Sequence, residues 1–340
     1  FEPQAGRVNA GRQVAYRSLV PVHSQTYSTA MLLALAKGKF IALIVFSFFL
    51  LCVHLPGVAQ SLDMEMAKKA YADNAYDRGL TIFRNGAKAG MKEAQYWLGL
   101  LHDRGHGVGR NPEIAFQWFK KAAEQGHAEA QRVVGVYLEE GTNISQDLTA
   151  AANWYSRAAE QKNAKALRNL AQLYVWGRGV DRDFGKAARL LQTAVKLGNA
   201  KAMRNLAFLY YFGKGVRGDP ARARALFAAA AEAGLDKAKY NLGFLYYRGE
   251  GVPRNLPIAA YHFGQAAEAG NADAQLMLSR LYILGDGVET DPAKAFFWAL
   301  LGALQKPDLA EWHFEKLRGK LKIGQMDRIR AQSKAWDPDG

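Results

Sequence analysis

The sequence predicts an all-α fold: an α/α superhelical solenoid of 36-residue helix-turn-helix repeats with divergent N- and C-terminal caps. Three observations predict it. Alanines stand at 94, 130, 166, 202, 238 and 274, each 36 residues after the last, and glycines at 105, 141, 177, 213, 249 and 285 keep the same interval. Between each glycine and the next alanine lies an asparagine or aspartate, at 111, 147, 183, 219, 255 and 291, a residue type preferred as a helix N-cap. A fixed period of this length marks stacked units that bury their apolar faces only against their neighbours.

The elements follow in chain order. Residues 1–30 open at Phe1 and contain no methionine. They read as a non-native or upstream-start extension, the competing reading being an Arg-bearing, acid-poor presequence. Residues 31–59 have the layout of a signal peptide: Lys37 and Lys39, an apolar run at 40–53, then Pro56 as a helix breaker and Gly57-Val58-Ala59, with cleavage expected after Ala59. The alternative is a retained signal anchor. Leu50-Leu51 ahead of Cys52, the single cysteine of the chain, does not fit a lipoprotein attachment site, and nothing downstream can form a disulfide or a thiolate metal site. Residues 61–90 read as a capping half-repeat, with Gly79, Ile82, Phe83, Ala87 and Gly90 in register with later second helices.

Residues 91–306 hold six units. Counting from the repeated alanine as position 1, the fifth residue is Leu98, Val134, Leu170, Leu206, Leu242 or Leu278, and the eighth is Leu101, Tyr137, Leu173, Leu209, Leu245 or Leu281. Positions 1, 5 and 8 form the apolar face of an amphipathic first helix. The sixth is small (Gly99, Gly135, Ala171, Ala207, Gly243, Ser279), which predicts close approach of a neighbouring helix backbone. A Gly-x-Gly-Val turn closes the first helix in five units, and Gly141-Thr-Asn-Ile replaces it in the second, where Asn143 is able to take a positive φ at some cost. Pro112, Pro220 and Pro292 follow their N-caps at the first helical position. The second helix closes at Gly126, Gly198, Gly234 and Gly270, with Lys162 and Lys306 as exceptions. After Lys306 the period is expected to end. A fresh amphipathic pattern at 308–322, a break at Gly324 and a helix through Trp336 form a C-terminal cap over 307–336, with Leu309, Trp312, Leu317 and Leu321 covering the last unit.

The unit, Ala-x-x-x-Leu-Gly-x-Leu-Tyr-x-x-Gly-x-Gly-Val followed by Asp/Asn-x-x-x-Ala-x-x-Trp and a closing Gly, resembles the Sel1-like repeat, a relative of the tetratricopeptide repeats. The resemblance covers about residues 75–306. It departs in the second unit's turn and where Trp118, Trp154 and Trp298 give way to Leu190, Leu226 and His262. It implies first helices lining a concave side, and an adaptor or regulatory role in the cell envelope. Cysteine-rich relatives described as β-lactamase-like have a disulfide pattern that this chain lacks.

The chemistry is sparse. There is no Ser-x-x-Lys, Gly-x-Ser-x-Gly, Gly-x-x-x-x-Gly-Lys, Cys-x-x-Cys or His-Glu-x-x-His, so the sequence carries no motif for a catalytic residue, cofactor or metal. His102 and His106 have a ligand-like spacing but lack a third ligand and are separated by the helix-ending Gly105. His262, in place of a core tryptophan, reads as a packed histidine. The formal net charge is +14, of which residues 61–340 carry +10. That charge suits acidic partners, but its dispersal along the helices argues against nucleic acid. The membrane enters only if the N-terminal segment is retained.

Positions 3, 4, 7, 10 and 11 of the first helices remain as the candidate surface. In units three to five they supply Arg168, Asn169, Gln172 and Trp176; Arg204, Asn205, Phe208, Tyr211 and Phe212; and Tyr240, Asn241, Phe244, Tyr247 and Arg248. Aromatics, arginine and asparagine on one stripe have the composition of a protein-binding surface, and each asparagine amide is expected to pair with an extended peptide backbone. The function this predicts is a non-enzymatic protein- or peptide-binding adaptor; the alternative is a peptidoglycan-directed or β-lactamase-like hydrolase, for which Glu139 and Glu140 are the one adjacent acidic pair in a first helix.

Overall fold

The computed structural model describes residues 56–141 and 143–338. The extension at 1–30 and the apolar run at 40–53 lie outside the described residues. The chain divides into two compact units, 1–65 and 66–340, and the second carries the repeats. Among the described residues there are sixteen helices and no strand, and no helix is long and apolar enough to cross a membrane.

The chain begins with α1 (Pro56–Ala72) and α2 (Tyr76–Lys88). Six helix pairs follow: α3 (Lys92–Arg104) with α4 (Pro112–Glu124), α5 (Ala128–Glu140) with α6 (Leu148–Glu160), α7 (Ala164–Trp176) with α8 (Phe184–Lys196), α9 (Ala200–Phe212) with α10 (Pro220–Glu232), α11 (Asp236–Arg248) with α12 (Leu256–Glu268), and α13 (Ala272–Leu284) with α14 (Pro292–Gln305). The chain ends with α15 (Pro307–Leu317) and α16 (Ile323–Ala335). From α2 to α15 successive helices pack on one another, and α16 packs on α14.

Local chemistry sets these boundaries. All six N-caps of the second helices accept a backbone N–H three residues on, at 2.8–3.0 Å, and each such cap stabilises its helix by about 1 kcal/mol. Asn163, Asn199 and Asn271 cap first helices in the same way, as does the His127 ring. The second glycine of each turn spaces the units. At Gly215 and Gly251 the φ is +69° and +73°, and a Cβ would sit 2.2 Å and 2.4 Å from backbone carbon of Phe184 and Pro220, the first residue of the preceding second helix. Asn143 occupies this position in the second unit with φ 60°, and Lys162 closes its second helix, also at φ 60°.

Positions 1, 5 and 8 form the core, with Ala94, Ala130, Ala166, Ala202, Ala238 and Ala274 wholly buried. The small sixth position has a different cause from the expected backbone approach. A Cβ at Gly99, Gly135 or Gly243 would lie 2.6–2.8 Å from the ring of Phe119, Tyr155 or Phe263 of the paired second helix, so glycine makes room for an aromatic ring. Ser279 instead donates its hydroxyl to the Ala295 carbonyl at 2.7 Å. Buried Gln95, Gln131 and Gln275 donate to the carbonyls of Ala87, Ala123 and Ala267 in the preceding second helix, fastening one unit to the next.

Two columns of the period run on past Lys306, while the turn-glycine column ends, with Leu321 in its place. Ala310 stands 36 residues after Ala274 and is wholly buried, and Leu317, in register with position 8, is buried too. Helix α15 packs on α14 and α13 as the first helix of a seventh, shortened unit. The turn falls at Gly319, with φ +75°, and Gly324 lies inside α16 rather than breaking the chain. Leu317 and Leu321 join Phe296 and Ile329 in the terminal cluster; Leu309 does not, being 58% exposed.

Candidate functional site

The stripe resolves into a groove of about 440 Å3 between the first helices α9 and α11. Its walls include seven of the fourteen candidate residues: Arg204, Phe208, Tyr211, Phe212, Tyr240, Asn241 and Phe244. Phe227 forms the floor, packing edge-on against Phe208 at 5.1 Å. The Arg204 guanidinium lies 4.9 Å over the Phe208 ring and donates from Nε to Asn241 Oδ1 at 3.0 Å. It is half-buried, and no acid pairs with it among the described residues; burial lowers its pKa, with no charged neighbour opposing the shift. Tyr211 donates its hydroxyl to Glu250, which also pairs with Arg248. Burial raises the pKa of the Tyr240 phenol, and the Asp273 carboxylate adds to the rise, so Tyr240 stays a neutral donor.

The asparagines correct the sequence expectation. Asn169 and Asn241 are buried rather than displayed. Each accepts from an arginine at position 3: Arg168 bonds Asn169 within its own helix, and Arg204 reaches Asn241 in the next unit. These two amides therefore orient cations instead of meeting a peptide backbone, while Asn205 stays half-exposed. Arg168 also reaches Gln172, and its Nε is buried with no partner. Trp176 and Phe212, at position 11 of successive units, are 70% and 60% exposed. Tyr247 packs against Phe263.

The repeat geometry is now matched by comparison with known proteins. The Sel1 repeat family model matches six successive segments: 92–127, 128–163, 164–199, 200–235, 236–271 and 272–307. The chain belongs to the Sel1 repeat family. A Sel1 repeat protein from Oxalobacter formigenes is similar at 34% identity and a TM-score of 0.67, over 71% of this chain and 96% of that one. A protective antigen from uropathogenic Escherichia coli strains, displaying an SLR fold, has 21% identity and a TM-score of 0.49, over 82% and 84% of the two chains. An immunity protein from Pseudomonas aeruginosa has 22% identity and a TM-score of 0.40, over 73% and 83%. No curated protein matches the chain. Sel1 repeat proteins are typically protein-interaction scaffolds and generally not enzymes.

Two features of the Sel1 array escaped the sequence reading. The position just before each repeated alanine reads Glu93, Glu129, Lys165, Lys201, Lys237 and Asp273, so three lysines run along the edge of units three to five with acids on either side. A second groove, of about 450 Å3, lies between α3 and α5 and contains Tyr96, Asp103, Arg104, Glu129, Arg132, Tyr137 and Lys165. Five of its charges pair internally: Arg132 with Glu129 at 2.8 Å, Lys165 with Glu129 at 3.9 Å and Arg104 with Asp103 at 3.7 Å, while Tyr137 donates to Asp103. The 36-residue alignment already held both features, in columns that vary in charge rather than in apolar character.

Two of the remaining candidates have structural partners. Glu139 accepts from the Tyr155 hydroxyl at 2.8 Å and pairs with Arg178 at 3.2 Å. The His106 ring stacks on Tyr76 at 4.2 Å and bonds the Tyr71 hydroxyl at 3.2 Å. Among the described residues no three metal-ligating side chains come together.

Proposed function

We propose that this Sel1 array is a binding scaffold whose first-helix face, in units three to five, holds an extended acidic segment of a partner protein. Arg204 carries the reading: a half-buried guanidinium set over an aromatic ring, with one neutral hydrogen-bond partner and no acid. A cation that is always charged needs a counter-charge where water is scarce. Lys201 and Lys237 extend the positive edge, and Lys237 lines the same groove. Phe208, Phe212, Phe244 and Tyr240 supply apolar and edge contacts for side chains alternating with the acids. The apolar run and Gly57-Val58-Ala59 support export and action in the cell envelope, which N-terminal sequencing of the protein recovered from the periplasm tests.

The binding test uses the full chain and a labelled 12-residue peptide of alternating Glu and Leu, against the same peptide with Gln for Glu, read by fluorescence anisotropy. The acidic peptide binds and weakens with added salt, because exposed charges are screened. Arg204→Gln weakens it by about tenfold, the loss expected for one charge-assisted contact, and Arg132→Gln leaves it unchanged. Equal binding by Arg204→Gln and the parent chain overturns the reading. In cells, a photocrosslinker at Phe208 identifies the partner.

A further inference from the structure

A third recess, of about 310 Å3, lies between the second helices α10 and α12 beside α11, and it shares no residue with the grooves above. Two departures from the repeat create it. In register with His262 the other units carry Trp118, Trp154, Leu190, Leu226 and Trp298; in register with Arg224 they carry Phe116, Ala152, Ala188, Ala260 and Phe296. In this one place both apolar positions have become polar, and both side chains line the recess.

Each leaves one buried nitrogen unsatisfied. Arg224 Nε and His262 Nδ1 are buried without a hydrogen-bond partner, and Arg224 makes no ion pair or ring contact among the described residues. The neighbours are already committed. Lys239 pairs with Asp236 at 2.7 Å, Gln265 donates to the Tyr261 hydroxyl at 2.9 Å, and the His262 ring stacks on Tyr246 at 5.8 Å. Glu232, the acid in the lining, is exposed and pairs with neither. Buried polar groups are rarely left unpaired, and a guanidinium cannot escape the cost by losing its proton. Two such groups facing one recess call for an acceptor that carries negative charge.

We infer that this recess binds a small oxyanion, a carboxylate or phosphate group, with Arg224 as its counter-charge and the His262 ring as a second donor. The site is built from residues that the peptide-binding face does not use, so it stands or falls separately. The inference also accounts for the loss of tryptophan at 262, because an indole there would occupy the space that the anion needs. Burial holds the His262 imidazole below its ordinary pKa, against a smaller opposing effect of Gln265, and a bound anion raises it.

The test titrates the full chain with sodium acetate and, separately, sodium phosphate, against sodium chloride at equal ionic strength. The readouts are the His262 ring resonances, assigned with His262→Gln, and the melting temperature, which rises when a ligand binds only the folded state. Either salt producing a saturable His262 shift supports the site, and the better of the two identifies the chemistry. Arg224→Gln weakens that response by about tenfold. His262→Trp, which restores the residue of the first, second and sixth units, keeps the helicity and abolishes the anion-specific rise in melting temperature. Comparing each variant with the parent chain removes the general stabilising effect of phosphate. A His262 shift no larger than that in chloride, or a full response in both variants, overturns the inference and leaves water as the partner of these atoms.

Discussion

The groove between α3 and α5 and the groove between α9 and α11 are the same construction three units apart. Their lining positions correspond at an interval of 108 residues: Tyr96 with Arg204, Asp103 with Tyr211, Arg104 with Phe212, Glu129 with Lys237, Arg132 with Tyr240, and Lys165 with Asp273. In the first groove, the acids and bases at these positions close on one another. In the second, aromatics replace most of them, Asp273 pairs with Lys306, and Arg204 is left with an amide. The repeat thus separates scaffold from specificity: the backbone provides equivalent grooves, and the charge pattern decides which one is complete and which lacks a counter-charge.

The largest effect is expected where the two regions carry different residues at the same positive-φ turn position. Gly251 corresponds to Asn143, 108 residues earlier. Gly251→Ala places a Cβ 2.4 Å from backbone carbon of Pro220 while φ stays at +73°. Strain of this kind costs about 3 kcal/mol, from the left-handed conformation and the overlap together, and a lowered urea midpoint reads it. Asn143→Gly removes a non-glycine residue at φ 60° and leaves stability unchanged or higher by up to about 1 kcal/mol. A loss of stability in Asn143→Gly as large as that in Gly251→Ala would show that the turns are not equivalent.

Next is the exchange of charge. Glu129→Gln leaves Arg132 and Lys165 without their shared acid and makes the first groove resemble the second. The expected result is a second, weaker site for the acidic peptide, seen by calorimetry as stoichiometry rising from one toward two. The stability cost is about 1 kcal/mol, typical of a partly exposed ion pair with a hydrogen bond. A stoichiometry that stays at one would mean that the aromatics, not the uncompensated arginine, define the site.

The fold was legible because its determinants are local and periodic. Ala238, Leu242, Gly249 and Asn255 each act within a few residues and recur six times. What each groove does depends on contacts between units, and those are not written in any one unit. Arg204 bonds Asn241 across 37 residues, so the burial of Asn241 follows from stacking rather than from its own helix. The seventh first helix was hidden because Pro307 begins it early and Gly319 ends it early, leaving Ala310 as the one residue that keeps the alanine column. The recess at His262 was half legible: the loss of tryptophan showed in the alignment, but its coincidence with Arg224 required the packing of α10 against α11 and α12.

A smaller contrast lies in acid sensitivity. Glu93 and its counterpart Lys201 sit at the same repeat position. The His127 hydrogen bond is the main cause that holds the Glu93 carboxyl down at about 2; burial opposes it, and Lys68 and Trp97 add to it. A carboxylate lowered from an ordinary 4.5 stabilises the fold above that value and loses its contribution as pH falls toward 2. Screening at a side chain this exposed limits the contribution to about 1 kcal/mol. Glu93→Gln is expected to flatten stability against pH over that window, and Lys201→Gln to leave it unchanged. A pH profile identical in Glu93→Gln and the parent chain would show that other carboxylates govern the acid response.

The smallest effect on the fold, and the sharpest on function, is expected at position 11, where the first groove has Arg104 and the second has Phe212. Phe212 is 60% exposed, and its ring meets Phe208, Tyr211 and the Lys214 ammonium. Phe212→Arg gives the second groove the residue of the first, and an exposed substitution of this kind changes stability by no more than about 0.5 kcal/mol. Binding of the acidic peptide then separates two contributions. If the aromatic rim anchors the peptide's leucines, the variant loses affinity despite its added positive charge, and the loss persists at high salt. If charge alone recruits the peptide, affinity rises at low salt and returns to the parent value as salt screens it. The structure favours the first outcome, because Arg204 already rests on an aromatic ring and Phe212 continues that surface outward from Phe208.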